Sequence, residues 1–207
     1  MKVELNQVGK RFRRDWVLRG VNLLIEPGSR IAITGPNGSG KSTLLKMICG
    51  HLTPSKGKVD FSVDDKQLAL DQVYTQLAYA APYIELIEEF NLQEAIDFHR
   101  KFKPFQQNLS TKDIIALLGF ERSRTNEVRN FSSGMKQRLK LVLAICSQAP
   151  LLLLDEPTTN LDAQGTAWYA DLINQFGGQR SIVVASNVEA DYAFCTGKVD
   201  IREYKKG

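Results

Sequence analysis

The sequence of 207 residues predicts an α/β fold, with a parallel sheet whose strands are joined by helices. The run Leu151–Leu154 and the segment 181–185 are almost continuously apolar, as expected for strands buried on both faces. Residues 31–33 form a third apolar run, and a glycine-rich loop follows it at 35–42. Stretches with helical spacing separate these runs, and this alternation favours right-handed crossovers between parallel strands.

The first 34 residues predict strands, because residues 3–5 and 21–25 alternate between apolar and polar side chains. Pro27-Gly28 is a turn signal. The basic run Lys10–Arg14 is the densest charge cluster of the chain, and we interpret it as a solvated hairpin.

A block of three helices is predicted in the middle of the chain. Its first two helices begin with a capping box, at Asn91 and at Ser110, in which an acid follows the polar cap three residues later. Asp162 is predicted to cap a later helix that ends at Gly177-Gly178. The helices of the block are predicted at 91–103, 110–119 and 135–147, and another helix follows the glycine-rich loop at 42–49.

Composition excludes several classes of protein. With 43% apolar and 24% charged residues, the chain has the balance of a globular protein and not of a disordered one. The net charge of +4 is too small to indicate a nucleic-acid partner. No apolar run approaches the roughly 18 residues of a membrane span, and the first residues lack the apolar core of a signal peptide.

The cysteines and histidines do not predict a metal site or a disulfide framework. Cys49, Cys146 and Cys195 are far apart and odd in number, which fits a protein of the reducing cytosol. His51 follows a helix and His99 lies inside one, so we interpret both as surface or packing residues.

The segment Gly35-Pro36-Asn37-Gly38-Ser39-Gly40-Lys41-Ser42 matches the phosphate-loop pattern G-x-x-x-x-G-K-[ST] at every fixed position. Glycines allow the backbone to curl so that N–H groups point at phosphate oxygens, and the following helix adds the positive end of its dipole. Lys41 is predicted to contact the β- and γ-phosphates, and the Ser42 hydroxyl to bind Mg²⁺. The pattern therefore predicts a nucleoside triphosphate site.

Two acids directly after the four leucines add a metal ligand and a catalytic base to the predicted nucleotide site. Asp155 and Glu156 fall at the C-terminal end of a buried strand, where open α/β sheets bind their ligands. Asp155 is predicted to bind Mg²⁺, and Glu156 to orient or deprotonate the attacking water. The alternative is that the acids cap a helix, but Pro157 and two threonines follow instead of an amphipathic helix.

Four motifs in this order resemble the ATPase subunit of ATP-binding cassette (ABC) transporters. They are the phosphate loop, Phe131-Ser132-Ser133-Gly134-Met135-Lys136-Gln137-Arg138, Leu154-Asp155-Glu156-Pro157 and Thr159-Asn160-Leu161-Asp162. The resemblance covers nearly the whole chain and implies the P-loop NTPase fold of ABC ATPases, with an N-terminal antiparallel β subdomain, a parallel core sheet and an inserted helical subdomain. We expect one ABC ATPase domain at 1–207, with the core and β subdomain at about 1–82 and 148–207 and the helical subdomain at about 83–147.

The resemblance also implies a head-to-tail dimer with a second ABC ATPase subunit, either a second copy or a different chain. ATP would lie between the phosphate loop of one subunit and Ser132 and Gly134 of the other, since the start of a helix offers N–H groups to an anion. Asp162 matches the family segment that touches the other subunit, and it is also a helix cap. Hydrolysis would release this dimer, and the release would drive a separate integral membrane subunit.

The resemblance implies ATP and Mg²⁺ as cofactors. Phe12 falls where the family has an aromatic ring under adenine, and the alternatives are that Phe12 is a core residue of the hairpin or that Trp16 stacks instead. The predicted site residues are Lys41 and Glu156 for catalysis, Ser42 and Asp155 for the metal, and Phe12, Gly35, Pro36, Asn37, Gly38, Ser39, Gly40, Lys41, Ser42, Thr43 and Asn187 for ATP, with Ser132 and Gly134 contributed by the other subunit.

Three features depart from the family pattern. Pro82 stands where the family usually has a glutamine that touches Mg²⁺ and senses the membrane subunit, and Asn187 stands where it has a histidine near the γ-phosphate. In the signature segment, Ser133 replaces a glycine, and Met135 replaces a glutamine as in many exporter-type cassettes. Asparagine can donate a hydrogen bond to phosphate but carries no charge, so we expect slow ATP turnover with retained ATP binding.

The segment Tyr83–Phe90 is both apolar and acidic. In the family this region faces the coupling helices of the membrane subunit, so one interpretation is a docking surface for a basic or apolar helix. The other interpretation is a loop that packs on its own helical block.

We expect the ATP-binding subunit of an ABC transporter, cytoplasmic and peripheral on the inner face of the cell membrane. We expect export by analogy alone, because compact single cassettes of this size resemble those of exporters. The alternative is a soluble ABC protein that uses ATP-dependent dimerisation as a clamp or regulatory switch. A small P-loop kinase would explain the phosphate loop and Asp155 but not the signature segment. The substrate would be chosen by the membrane subunit, so this chain does not name it.

Overall fold

A computed structural model describes residues 1–205; Lys206 and Gly207, which the predicted domain includes, lie outside the described residues. The strands are, in chain order, β1 (Lys2–Phe12), β2 (Asp15–Ile25), β3 (Arg30–Thr34), β4 (Lys56–Val63), β5 (Lys66–Gln67), β6 (Leu77–Ala80), β7 (Leu151–Asp155), β8 (Ser181–Ala185) and β9 (Gly197–Asp200). The α-helices are α1 (Lys41–Ile48), α2 (Leu92–Phe102), α3 (Thr111–Leu118), α4 (Ser133–Cys146), α5 (Ala163–Phe176) and α6 (Glu189–Tyr192). Short 3₁₀ helices lie at Leu70–Gln76, Gln106–Asn108, Glu121–Ser123, Val128–Asn130 and Ile201–Tyr204.

The described residues fall into two compact units. The core unit contains residues 1–77, 150–156 and 179 to the end of the described chain, and the helical unit contains 78–149 and 157–178. The sequence prediction assigns 157–178 to the core subdomain, whereas the structure groups this segment with the helical unit. The physical reason is that α5 packs against α4.

An antiparallel sheet with the strand order β2-β1-β4-β5 forms one part of the core unit. Val3 pairs with Ile25 on one side and with Phe61 on the other, and all three side chains are buried. The strands predicted within the first 34 residues are confirmed. Strands β4 and β5 are not among the predicted elements. The alternation of Val59, Phe61 and Val63 with polar residues is short and follows two lysines and a glycine, and β5 has only two residues.

The second sheet has the strand order β6-β7-β8-β3-β9, and the pairs β7–β8, β8–β3 and β3–β9 are parallel. Asp155 pairs with Ala185, and Ala185 pairs with Ile33. Because the C-terminal ends of β7, β8 and β3 lie side by side, the segments that follow these strands reach the same edge of the sheet. That edge carries the two acids, Asn187 and the glycine-rich loop.

The helical unit contains the helices predicted from capping residues. Both capping boxes, at Asn91 and at Ser110, are present with both of their reciprocal hydrogen bonds. The helix α3 ends at Gly119, whose φ of 70° is a left-handed conformation that glycine adopts without strain. The helix α4 begins two residues before its predicted start, because Ser132 caps it. None of the helices within residues 1–205 is long and apolar enough to cross a membrane.

His99 is a packing residue of the helical unit, as expected. Its ring stacks on Phe105 with the ring centroids 5.7 Å apart, and its Nε2 lies 2.8 Å from the Ser147 hydroxyl. Burial, with a smaller contribution from Lys103, lowers the pKa of His99 to about 4. The imidazole is therefore neutral at physiological pH. His51 is exposed.

Gln106 joins the C-terminal ends of two helices within the helical unit. Its Nε2 lies within hydrogen-bond distance of the carbonyl oxygens of Ile145 (2.9 Å), Ser147 (3.3 Å) and Phe176 (3.2 Å). The last carbonyl groups of α4 and α5 have no partners within their own helices. One side-chain amide therefore supplies donors to the ends of both.

We predict that Gln106→Glu lowers the free energy of unfolding by about 1–3 kcal/mol, because a carboxylate would face three carbonyl oxygens with no proton to donate. Urea unfolding followed by circular dichroism measures the loss. The matched control is Gln107→Glu, which makes the same charge change at an exposed neighbour and should stay within about 0.5 kcal/mol of the unsubstituted chain. Equal losses in the two variants would contradict the assignment.

Candidate functional site

The glycine-rich loop connects β3 to α1 and depends on two glycines. Gly35 and Gly40 have φ angles of 144° and 104°. A Cβ would lie 2.5 Å from a methyl group of Ile201 at Gly35 and 2.9 Å from one of Val17 at Gly40. Both positions therefore require glycine, for the backbone angle and for space. The loop has the curled backbone that the phosphate-loop pattern predicts.

Lys41 is held inside the curve of this loop. It is the first residue of α1 and is only 4% exposed. Its Nζ donates to the carbonyl oxygens of Gly35 at 2.8 Å and Pro36 at 3.3 Å. The same nitrogen lies 3.9 Å from Oε1 of Glu156. The structure therefore brings the predicted phosphate-binding cation and the predicted general base together.

The two acids occupy different environments at the end of β7. Asp155 is the last residue of the strand and is 1% exposed, whereas the Glu156 side chain is 33% exposed. Glu156 has a φ of 44°, and its N–H donates to the Ala185 carbonyl at 2.8 Å. A positive φ at a residue other than glycine is strained, and such strain clusters at functional sites. The helix-cap alternative is wrong, because the next helix begins only at Ala163 with Asp162 as its cap.

The residues of the loop fit a triphosphate and a divalent cation. The Ser39 hydroxyl is 1% exposed and has no hydrogen-bond partner among the described residues. A buried hydroxyl requires a polar partner, and phosphate oxygens provide one. Asp155 is a buried carboxylate, whose burial is favourable when a cation lies next to it. With the Ser42 hydroxyl it supplies the hard oxygen ligands that Mg²⁺ prefers.

Asn187 lies two residues after β8, at the same edge of the parallel strands. Ser186 precedes it, donates its N–H to the Ile33 carbonyl at 3.1 Å and hydrogen-bonds through its hydroxyl to Asp191. Both Ser186 and Asp191 are buried, whereas Asn187 is exposed. The turn is therefore anchored on both sides of an accessible asparagine, where the resemblance implies contact with the γ-phosphate.

Pro82 belongs to the helical unit and lies two residues after β6. Its carbonyl oxygen accepts a hydrogen bond from Nζ of Lys140 at 2.8 Å. Burial lowers the pKa of Lys140, with Lys136 adding to the decrease. Proline has no side-chain oxygen, so Pro82 cannot replace the amide by which a glutamine would bind Mg²⁺.

Phe12 and Trp16 differ in accessibility on the β1–β2 hairpin. Phe12 is 49% exposed, with Nζ of Lys10 located 5.3 Å from its ring centroid. Trp16 is half-buried, and the guanidinium groups of Arg11 and Arg19 lie 5.7 Å and 5.0 Å from its ring centroid. The exposure of Phe12 argues against a hairpin-core role. It leaves Phe12 the more accessible ring for stacking on a base.

The signature segment starts a helix on the surface of the helical unit. Ser132 is the N-cap of α4, and its hydroxyl accepts a hydrogen bond from the Met135 N–H at 3.2 Å. Ser132 and Ser133 are both exposed. The start of α4 is therefore accessible, and its first N–H groups have no partners within the helix. This is the geometry that a contact with a second subunit requires.

The segment that ends at Asp162 lies against the same helix start. Asn160 has a φ of 66°, and its carbonyl oxygen would lie 3.1 Å from a Cβ at position 134. Gly134 therefore permits a close backbone approach that a side chain would obstruct. Asp162 caps α5 by accepting a hydrogen bond from the Gly165 N–H at 2.7 Å, which confirms the predicted cap.

Gln137 belongs to the signature segment and is not among the predicted site residues. Gln137 is 2% exposed, and its Nε2 donates to the Pro157 carbonyl at 2.8 Å. The available signal is that Gln137 precedes the apolar residue Leu141 by one helical turn and so shares its buried face, where a polar group requires a partner. The sequence does not identify a partner twenty residues away.

Segment 83–90 packs on the helical unit and still exposes apolar side chains. The N–H of Arg129 donates to the Glu88 carbonyl, and the N–H of Val128 to the Phe90 carbonyl. Ile87 and Tyr83 are nevertheless 42% and 44% exposed. Two grooves border the segment: an acidic groove of about 480 Å³, lined by Glu85, Glu88, Glu89, Lys136 and Lys140, and an aromatic groove of about 220 Å³, lined by Ile87, Phe90, Phe98 and Phe102.

Comparison with known proteins identifies relatives among ATP-binding proteins. YybJ of Bacillus subtilis (strain 168), an uncharacterized ABC transporter ATP-binding protein, is 29% identical over 84% of this chain and 79% of its own length. ZnuC of Pasteurella multocida (strain Pm70), a zinc import ATP-binding protein, is 33% identical over 84% of this chain. This chain spans only 61% of the length of that relative.

The fold is shared with solved ATP-binding cassettes. The dimeric structure of a post-hydrolysis state of the cassette MJ0796, bound to ADP and Pi, superposes with a TM-score of 0.83 over 99% of both chains. Its sequence identity of 22% supports the fold alone, and the predicted ABC ATPase fold is confirmed. The sequence profile of the family described as ABC transporter matches residues 18–159, more than half of the chain. The chain belongs to the ABC transporter family of ATP-binding proteins.

Proposed function

We propose that this chain binds and hydrolyses ATP, dimerises around it and powers transport by a separate membrane subunit. The observation that carries the proposal is the 3.9 Å separation between Nζ of Lys41 and Oε1 of Glu156. Lys41 would hold the β- and γ-phosphates, and the partly exposed Glu156 would orient and deprotonate the attacking water. Ser42 and Asp155 would hold Mg²⁺, which when bound neutralises charge on the phosphate oxygens.

The proposed dimer joins the phosphate loop of one subunit to the start of α4 in another. Ser132 and Ser133 are exposed, and the N–H groups at the start of α4 would form half of an anion site. The second subunit is a copy of this chain in the simplest case. ATP would then stabilise the dimer, and its hydrolysis would release it.

The proposed membrane partner would bind the helical unit at segment 83–90. Ile87 and Phe102 are 42% and 71% exposed beside the aromatic groove. Exposed aromatic and aliphatic side chains around a groove are typical of sites that bind a partner helix. In the adjoining acidic groove Glu88 is paired with Lys136, and the carboxylates of Glu85 and Glu89 would favour a partner segment with basic residues.

Attachment at this surface would make the chain peripheral to the inner face of the cell membrane. Export is the proposed direction. It is supported by Met135, because many exporter-type cassettes have methionine at this position of the signature segment. The substrate would be selected by the membrane subunit.

We predict that the tagged chain, extracted from its own cells in mild detergent, co-purifies with an integral protein of several membrane spans. Ile87→Glu should reduce the recovered partner by about tenfold, because a charge would be buried at the apolar centre of the contact. The matched control is Leu24→Glu in β2, since Leu24 is 44% exposed in the core unit. Recovery of the chain without any membrane protein would contradict transport and favour the soluble clamp or switch.

We predict that the purified chain hydrolyses ATP at less than about 1 s⁻¹ without its partner. Asn187→His should raise the rate by about 10- to 100-fold, because an imidazole can carry positive charge or transfer a proton near the γ-phosphate. The control is Asn174→His, the same change at an exposed position of α5, which should leave the rate unchanged. Faster turnover of the unsubstituted chain, or no gain from Asn187→His, would argue against this account.

A further inference from the structure

Gln137 is a buried polar residue on the helix that begins at the signature segment. It is 2% exposed, and its position lies one turn from the start of α4. Burial of a side-chain amide is unfavourable unless it is hydrogen-bonded. Its Nε2 donates to the carbonyl oxygen of Pro157 at 2.8 Å. The bond spans twenty residues of sequence, so it fixes one segment of the helical unit against another.

The acceptor of this bond controls the direction of the following residues. Pro157 has a φ fixed near −65° by its ring, so anchoring its carbonyl oxygen restricts how the chain continues. The N–H of Leu161 then donates to the Thr158 carbonyl at 2.9 Å, and Asp162 caps α5. Segment 157–162 is therefore an ordered turn that starts at the Gln137 bond.

A second contact joins the same two parts of the helical unit. A Cβ at position 134 would lie 3.1 Å from the Asn160 carbonyl oxygen, so the first turn of α4 touches segment 157–162 directly. Segment 157–162 is thus attached to α4 at Gly134 and at Gln137. The two contacts hold Ser132 and Asp162 on one ordered surface.

We propose that Gln137 is a positioning residue that holds the Ser132 helix start and segment 157–162 in register, so that both meet the nucleotide-bearing face of a second copy of the chain. The inference rests on the proposed dimer. Gln137 would touch neither ATP nor the second copy, and it would act through the Pro157 carbonyl oxygen. Its effect should therefore appear at the site formed with the phosphate loop of the other subunit, and not at the loop of its own subunit.

The two composite sites of the dimer can be tested separately by combining two differently substituted subunits. An acceptor subunit carries Glu156→Gln and keeps an intact phosphate loop, and it is immobilised. A donor subunit carries Lys41→Ala, so that it contributes only its Ser132 surface, and it is supplied in solution. Association that requires Mg-ATP is measured by biolayer interferometry. Gln137→Met, which removes the N–H donor at similar size, is then placed in one subunit or the other.

Gln137→Met in the donor should weaken the ATP-dependent association by about tenfold, because without this bond the positioned form of segment 157–162 becomes a minority of the free donor. The same substitution in the acceptor should change it by less than about twofold. Gln148→Met in the donor is the control, since Gln148 is exposed, and it should have no effect.

Equal weakening from both placements would overturn the inference, because it would indicate a general loss of structure. Absence of weakening from the donor placement would also overturn it. Failure of the donor and acceptor without Gln137→Met to associate with Mg-ATP would instead contradict the proposed dimer, and the positioning role with it.

Discussion

The hydrogen-bond register of three parallel strands is the constraint on which the candidate site depends. Ile33 of β3, Ala185 of β8 and Asp155 of β7 lie in line across the sheet. This alignment brings the phosphate loop and the acids to one edge, with Lys41 Nζ and Glu156 Oε1 3.9 Å apart. A shift of one residue in any strand would turn its side chains to the opposite face, so this register determines which groups meet at the site.

The sequence predicts those parts of the molecule whose signals are local. The curled backbone of the glycine-rich loop, the two capping boxes and the cap Asp162 are determined by residues a few positions apart, and the structure has them as predicted. The continuous apolar run of β7 likewise predicts a buried strand with acids at its end. The family resemblance also rests on short motifs, and these motifs are distributed over most of the chain.

The features that the sequence did not predict depend on partners distant along the chain. Gln106 donates toward carbonyl oxygens up to seventy residues away, and Gln137 donates to one twenty residues away. Strand β4 alternates between apolar and polar residues only over 59–63, and pairing with β1 extends the strand back to Lys56. Segment 157–178 follows the core strand β7 in sequence, yet contacts with α4 group it with the helical unit.

In the proposed dimer, triphosphate would be bound from two sides, by the phosphate loop of one subunit and by the Ser132 helix start of another. Sedimentation of the Glu156→Gln chain with Mg-ATP tests this arrangement, because removal of the proposed general base should prevent hydrolysis from releasing the dimer. The account predicts a dimer with Mg-ATP and a monomer with Mg-ADP. A chain that binds Mg-ATP and still sediments as a monomer would contradict it.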